Sequence, residues 1–176
     1  MSEARNAWGF TLFADDIRYE MGGKTSLIGI YQLDLNQLMD FPITIPKLAM
    51  LIKYYEIKGA LKGDLNVKIF LPGDPESMPT LSWIIPEAAK DNAQTPYKSD
   101  SDSEKLFDLT LPIIVSPLNI KEEGFVKVRI QCGDITTRLG RLMIRKVRDT
   151  DNVPFTPSPI ASPPPSSQSP PASPAS

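Results

Sequence analysis

The stretch from Phe10 to Tyr31, FTLFADDIRYEMGGKTSLIGIY, is the part of the sequence that decides the predicted fold. Two apolar runs of β-forming residues, Phe10–Ala14 and Thr25–Tyr31, flank a charged connection that contains Gly22 and Gly23. Paired glycines supply the positive φ angles that a tight reversal of the chain requires. The stretch therefore predicts a strand, a polar bend and a returning strand.

The rest of the chain continues this pattern of short β-forming runs separated by turns. The clearest alternation of apolar and polar residues covers Asp64–Leu71. Because the apolar phase of the last run shifts across Gly140, we expect a β-bulge there. The connections are predicted to be a loop or one helical turn over residues 34–43, and a mobile surface loop over residues 86–105. The remaining strands are predicted over residues 47–57, 80–85, 106–115, 125–132 and 135–147.

The order and spacing of these runs predict the fold class. No segment carries an apolar stripe of helical period over about a dozen residues, and strands do not alternate with helices. Seven or eight strands at this spacing predict an all-β protein, a two-sheet antiparallel β-sandwich of immunoglobulin-like or C2-like type.

The composition changes abruptly near residue 151. Half of the chain's 18 prolines lie beyond Asn152, among serines and without a charged residue. Proline and serine at this density cannot bury a core. We therefore expect a β-sandwich domain over residues 1–150 and a disordered, proline- and serine-rich tail over residues 151–176.

The overall composition excludes several classes of function. The net charge of −2 and the pI near 5.2 argue against a general nucleic-acid binder, which normally carries a basic excess. The chain has no histidine, and Cys132 is its only cysteine, so we expect neither an internal disulfide nor a thiolate metal cage. We predict that Cys132 is a small buried side chain, and that the protein is not an enzyme and uses no cofactor.

The same features predict where the protein resides. The first eight residues, MSEARNAW, lack the apolar core of a secretory signal. No apolar run approaches the roughly 20 residues that span a bilayer. Together with the single cysteine, these features predict a cytoplasmic location.

Three carboxylates in the opening stretch form a candidate metal site. Asp15, Asp16 and Glu20 lie close together in sequence, and Ca²⁺ takes oxygen ligands from flexible loops. The alternative is a solvated bend in which Arg18 and Lys24 neutralise these acids. The spacing does not match the twelve-residue calcium loop, and a second acidic loop at an opposing position is not evident.

A basic stripe on the final two strands is the candidate partner-binding surface. It consists of Lys127, Arg129, Arg138, Arg141 and Arg145. One interpretation is a solvated outer face whose cations keep an edge strand from pairing with another chain. The other is a surface that docks an acidic partner, a protein being favoured over a nucleic acid because interleaved exposed aromatic residues are missing.

The opening stretch also carries a resemblance. The pattern DDIRxExGGKxSLIGxY, from Asp15 to Tyr31, resembles the opening of a family of uncharacterised bacterial and phage-associated proteins, classed as a domain of unknown function. Residues Pro46, Lys47 and Leu48 give a weaker second match. The resemblance implies a bacterial source and a compact β-rich domain, and it brings neither an established activity nor a catalytic residue.

These observations favour a non-enzymatic protein-interaction or structural module with a proline-rich tether. The alternative is a calcium-dependent lipid- or carbohydrate-binding C2-like domain that uses the acidic bend at residues 15–20. An enzyme that relies on carboxylates alone is a third hypothesis, and it would need two facing acids in a deep pocket.

Overall fold

The computed structural model describes residues 6–92 and 106–147, and within them the chain forms twelve β-strands and one short helix. The strands are β1 (Ala7–Ala14), β2 (Asp16–Tyr19), β3 (Thr25–Ile28), β4 (Asp34–Gln37), β5 (Ile43–Ile45), β6 (Leu48–Ile57), β7 (Leu65–Phe70), β8 (Leu81–Ile85), β9 (Leu106–Val115), β10 (Leu118–Ile120), β11 (Gly124–Cys132) and β12 (Ile135–Lys146). The helix, α1, covers Glu87–Asn92. The predicted all-β class is confirmed.

The strands form one five-stranded, one three-stranded and two two-stranded sheets. The five-stranded sheet has the order β4-β12-β11-β7-β8, and the three-stranded sheet has the order β1-β6-β9. The pairs β2-β3 and β10-β5 complete the arrangement. Among the named strands the pairings are antiparallel, except that β4 runs parallel to β12, with Asp34 opposite Met143. The sheets are therefore more numerous than predicted, and one of them is mixed.

The two larger sheets contribute to a single hydrophobic core. Period-two alternation along β6, β7 and β11 sends every second side chain into this core. Burying such side chains stabilises the fold by about 1.5–3 kcal/mol each. The buried members from β6, β7, β11 and β12 are Leu48, Met50, Ile52, Tyr54, Leu65, Val67, Ile69, Val126, Val128, Ile130, Cys132, Leu139, Leu142 and Ile144.

The predicted β-bulge is present in β12. Val128 lies opposite Gly140 whereas Arg129 lies opposite Arg138, so Leu139 is the extra residue. The insertion shifts the phase of the strand and keeps Leu139 buried. The insertion also places Arg138 on the same outer face of the sheet as Arg141.

The opening stretch forms the predicted strand, bend and returning strand, but its first strand is divided at Asp15 into β1 and β2, and Tyr31 forms a single antiparallel bridge back to Phe13. The returning strand β3 pairs with β2, whereas β1 pairs with β6. The reversal lies at Gly22 and Gly23, whose φ angles of 78° and 74° confirm their predicted role. The chain leaves β1 at Asp15, whose N–H is shared between the carbonyl oxygens of Ile28 (2.9 Å) and Gly29 (3.2 Å). The β2-β3 hairpin packs over a small second cluster of buried residues, formed by Ala14, Ile17 and Ala49.

Two predicted connections contain regular structure. Residues 34–43 include β4 and the first residue of β5 rather than a helical turn. The predicted surface loop over residues 86–105 begins with α1, whose first backbone N–H, from Glu87, donates to Asp64 Oδ1 at 2.9 Å. Residues 93–105 and the predicted tail at residues 151–176 lie outside the described residues.

Candidate functional site

Four cations of the predicted basic stripe line one open depression on the outer face of the five-stranded sheet. Lys127 and Arg129 lie on β11, and Arg138 and Arg141 lie on β12. The depression has a volume of about 410 Å³, and its floor includes Gly140 at the bulge. We call these four side chains and the space between them the basic depression.

The cations of the basic depression face one another in pairs across the two strands. Lys127 lies directly opposite Arg141, and Arg129 lies directly opposite Arg138. Directly opposed side chains on antiparallel strands are close neighbours, and like charges at such positions destabilise the sheet. Two such pairs side by side concentrate four positive charges, which is unfavourable for folding except where other contacts offset the repulsion.

One carboxylate, that of Glu76, pairs with two of the four cations of the basic depression but does not itself line the depression. Glu76 accepts hydrogen bonds from both terminal nitrogens of Arg129, with Nη2 to Oε1 at 2.9 Å, and Lys127 Nζ lies 3.2 Å from the same Oε1. The hydrogen bond from Arg129 and that from Lys127 lower the pKa of Glu76. Within the described residues Arg138 and Arg141 have no carboxylate partner.

Two aromatic rings support the cations from below. The guanidinium carbon of Arg129 lies 5.0 Å from the ring centroid of Phe70, and Lys127 Nζ lies 6.0 Å from it. The guanidinium carbon of Arg141 lies 4.5 Å from the ring centroid of Phe125. A guanidinium over an aromatic ring is attracted to the ring, and its N–H groups stay available for an anion.

The fifth predicted residue, Arg145, serves a different contact. Its Nη2 lies 2.9 Å from Asp34 Oδ2 on β4, the strand that runs parallel to β12. Arg145 does not line the basic depression. The structure therefore brings together four of the five residues predicted for partner binding.

Four residues of this surface were not among the predicted site residues: Lys68, Phe70, Glu76 and Phe125. Lys68 lies directly opposite Arg129 and donates to Gln131 Oε1 at 2.6 Å. It extends the row of cations onto β7, next to Phe70 and Glu76. The alternation along residues 64–71 places Lys68 on the face opposite Leu65, Val67 and Ile69, but only the strand order shows that β7 adjoins β11.

The structure separates the carboxylates of the acidic bend. Asp15 accepts a hydrogen bond from the Tyr31 hydroxyl, and burial together with this carboxylate raises the pKa of Tyr31 to about 12. Asp16 instead lies 2.7 Å from Lys47 Nζ, whose hydrogen bond lowers the pKa of Asp16. Glu20 follows the far end of β2, about 13 Å along an extended chain from Asp16.

The separation of these carboxylates bears directly on the predicted calcium site. Asp15 and Asp16 have different partners, on Tyr31 and Lys47. No group of three or more Asp, Glu, Cys or His side chains in residues 6–92 and 106–147 is placed to hold a metal ion.

A buried ion pair lies at the end of the core nearest α1. Glu56 is 1% exposed and Lys90 is 6% exposed, and Lys90 Nζ lies 3.2 Å from Glu56 Oε1. The Tyr54 hydroxyl donates to Glu56 Oε2 at 2.9 Å, and Lys90 also donates to the Leu61 carbonyl oxygen at 2.9 Å. These contacts satisfy both buried charges and attach α1 to the core.

Cys132 borders this ion pair, and its predicted burial is confirmed. Its Sγ lies 3.8 Å from Lys90 Nζ and 3.3 Å from the Lys62 carbonyl oxygen. Burial raises the pKa of the Cys132 thiol in spite of the nearby ammonium. A buried thiol with a raised pKa is a poor nucleophile.

Comparisons of the chain with family models, with curated proteins and with solved structures found no match. The resemblance of residues 15–31 to a bacterial and phage-associated family therefore stays a prediction. In the part of the chain that the structure describes, no helix has the length and apolar character needed to cross a membrane.

Proposed function

We propose that this chain is a non-enzymatic protein-interaction module whose basic depression docks an acidic segment of another protein. The observation that carries the proposal is that two pairs of cations occupy directly opposed positions on β11 and β12 and line one open depression, where two of the four have no carboxylate partner in the described residues. Like charges that converge on one open depression favour a role in binding. Electrostatic complementarity of this kind gives specificity and fast association.

The chemistry of the residues supports a binding role over a catalytic one. An arginine side chain has hydrogen-bond donors and no acceptor, so Arg129, Arg138 and Arg141 can hold an anion but cannot act as a general base. The chain has no histidine to act as a general base, and burial raises the pKa of its one thiol.

We also propose that the two larger sheets form the layers of a sandwich of immunoglobulin-like or C2-like type. The support is the single core that both sheets share. On this arrangement the basic depression lies on an outer face, open to a partner. The single cysteine favours a reducing compartment such as the cytoplasm.

The calcium-dependent alternative has less support. It needs several carboxylates on one ion, whereas Asp15 and Asp16 already contact Tyr31 and Lys47 respectively. No observation at the acidic bend favours it over the basic depression.

The proposal is tested by the binding of a labelled oligo-glutamate peptide, followed by fluorescence anisotropy. The double variant Arg138→Gln/Arg141→Gln should bind it about two- to thirty-fold more weakly, because it loses two solvent-accessible ion pairs. The control is Lys62→Gln/Lys121→Gln, which makes the same change in net charge away from the depression. Equal weakening by both double variants, or no binding by the wild type at low salt, would overturn the proposal.

A further inference from the structure

The second inference rests on the proposed function and concerns the regulation of the same site. We propose that Glu76 is an internal competitor: its carboxylate occupies the place of the partner's carboxylate on Lys127 and Arg129, two of the four cations of the basic depression, until an acidic segment of the partner displaces it. The ligand is therefore a protein segment that carries at least two carboxylates.

The contacts of Glu76 show which anion the depression accepts. Both oxygens of this carboxylate are engaged by the two terminal nitrogens of Arg129, and Lys127 adds a third donor. A planar carboxylate matches the fork of a guanidinium group in this two-point arrangement. The cations are thus arranged for the chemistry of aspartate and glutamate side chains.

Glu76 can leave the cations without a change in the backbone around it. Its side chain is 60% exposed, so rotation about its own bonds moves the carboxylate into solvent. The loop beneath it is fixed by Asp74, whose Oδ2 accepts from the N–H groups of Leu71 and Thr80 at 2.9 Å each and from the Thr80 hydroxyl at 2.6 Å. A rigid loop with one rotatable carboxylate is suited to reversible masking.

Glu76 contacts only two of the four cations, and this explains why a partner with more carboxylates can displace it. Glu76 pairs with Lys127 and Arg129 and offsets one of their two positive charges, whereas Arg138 and Arg141 have no carboxylate partner in the described part of the chain. A segment with two or more carboxylates pairs with all four cations, and its second contact forms at a high effective concentration. The depression therefore discriminates against a single acidic side chain.

The position of Phe70 favours an acidic protein segment over a single-stranded nucleic acid. Binding of single strands relies on bases that stack on exposed aromatic rings. Phe70 is 1% exposed and lies beneath Lys127 and Arg129, and the Phe125 ring is covered by the Arg141 guanidinium, so neither ring presents a bare face for stacking.

The test compares Glu76→Gln with Asp134→Asn in the full chain at physiological salt, with the labelled oligo-glutamate peptide as the probe. Both variants remove one negative charge, but Asp134 lies in the turn between β11 and β12, away from the four cations. Glu76→Gln should bind the peptide about two- to five-fold more tightly than the wild type, the range set by the weakness of exposed ion pairs. Asp134→Asn should stay within about 1.5-fold of the wild type, because salt screens charges beyond about 8 Å.

The outcomes separate this inference from the proposed function. If the wild type binds oligo-glutamate and Arg138→Gln/Arg141→Gln does not, yet Glu76→Gln binds no more tightly than Asp134→Asn, internal competition is refuted and docking stands. If the wild type and Glu76→Gln both fail to bind oligo-glutamate, both proposals fall. Tighter binding of a single-stranded oligonucleotide than of oligo-glutamate would refute the assignment to an acidic protein segment.

Discussion

Reversing the charge of Arg138 should stabilise the protein while weakening its binding of an acidic peptide. Arg138 lies directly opposite Arg129. Within the described residues it makes no ion pair that its replacement would remove. In the variant Arg138→Glu a carboxylate replaces this cation, so a like-charge pair across β11 and β12 becomes an ion pair. The same change removes one of the four cations that hold the ligand.

The magnitude follows from a charge separation of about 6 Å, which is set by the general spacing of directly opposed side chains. Unit charges about 6 Å apart interact by about 0.7 kcal/mol in bulk water, and physiological salt reduces this by about half. Because the variant removes a repulsion and adds an attraction of similar size, its free energy of unfolding should rise by at most about 0.6–1.4 kcal/mol, since Glu76 already offsets part of the Arg129 charge. The corresponding rise in Tm is about 2–5 °C for a domain of this size.

The assay is urea unfolding of the full chain, followed by tryptophan fluorescence, together with thermal unfolding. Lys62→Glu is the matched control, since it makes the same change in net charge in an exposed loop and should leave the stability within about 0.5 kcal/mol of the wild type. The gain for Arg138→Glu should shrink at about 1 M salt, where the screening length falls to about 3 Å. A loss of stability, or a gain equal to that of Lys62→Glu, would refute the argument that the like-charge pairs oppose folding.

Three further predictions test the architecture around the site. Lys90→Met should lower the free energy of unfolding by about 3–5 kcal/mol, because it leaves the Glu56 carboxylate buried without its counter-charge; a loss no larger than that of Lys62→Met in urea unfolding would contradict this. Gly29→Ala should lower the free energy of unfolding by about 1–3 kcal/mol, and by more than Gly22→Ala. Both residues have positive φ, but of the two only Gly29 would bring a Cβ close to a neighbour, Asp15 Oδ2 at 2.0 Å. Equal losses of stability would show that the Asp15 side chain moves aside at little cost. The pKa of Tyr31 is raised from 10 to about 12, so the folded state holds the hydroxyl proton more tightly than the unfolded state does. The resulting stabilisation is present below pH 10 and is lost as the pH rises toward 12, so Tyr31→Phe should lose less stability over this range than the wild type. An equal loss for both proteins in urea unfolding at several pH values would contradict this prediction.

The strand pattern could be predicted because period-two alternation is a local property of the sequence. The alternation in β11 placed Val126 and Val128 inside and Lys127 and Arg129 outside, and the structure confirms it. The bulge was also predictable, since Gly140 marks the break in apolar phase. The pairing of β4 with β12 was not, because a short strand in a non-local parallel pair leaves little local signal.

The candidate site depends more on tertiary structure. The outward cations of β11 and β12 were predictable from a hairpin, but Lys68 and Glu76 join them only through the strand order and the loop that follows β7. For Asp15 and Asp16, closeness in sequence was misleading, because neighbouring residues on an extended chain point in opposite directions. The burial of Lys90 was not predictable from its sequence neighbours, because its partner Glu56 lies far away in sequence, at an inward position of β6.

The measurement that tests the central claim most directly is a titration of the isotopically labelled protein with oligo-glutamate, followed by amide chemical shifts. We predict saturable shift changes concentrated at Lys127, Arg129, Arg138 and Arg141 and at Glu76 as it is displaced, all of which diminish as salt is raised. Shift changes centred on the β2-β3 hairpin, or none at all at low salt, would contradict the assignment of the basic depression as a docking site for an acidic protein segment.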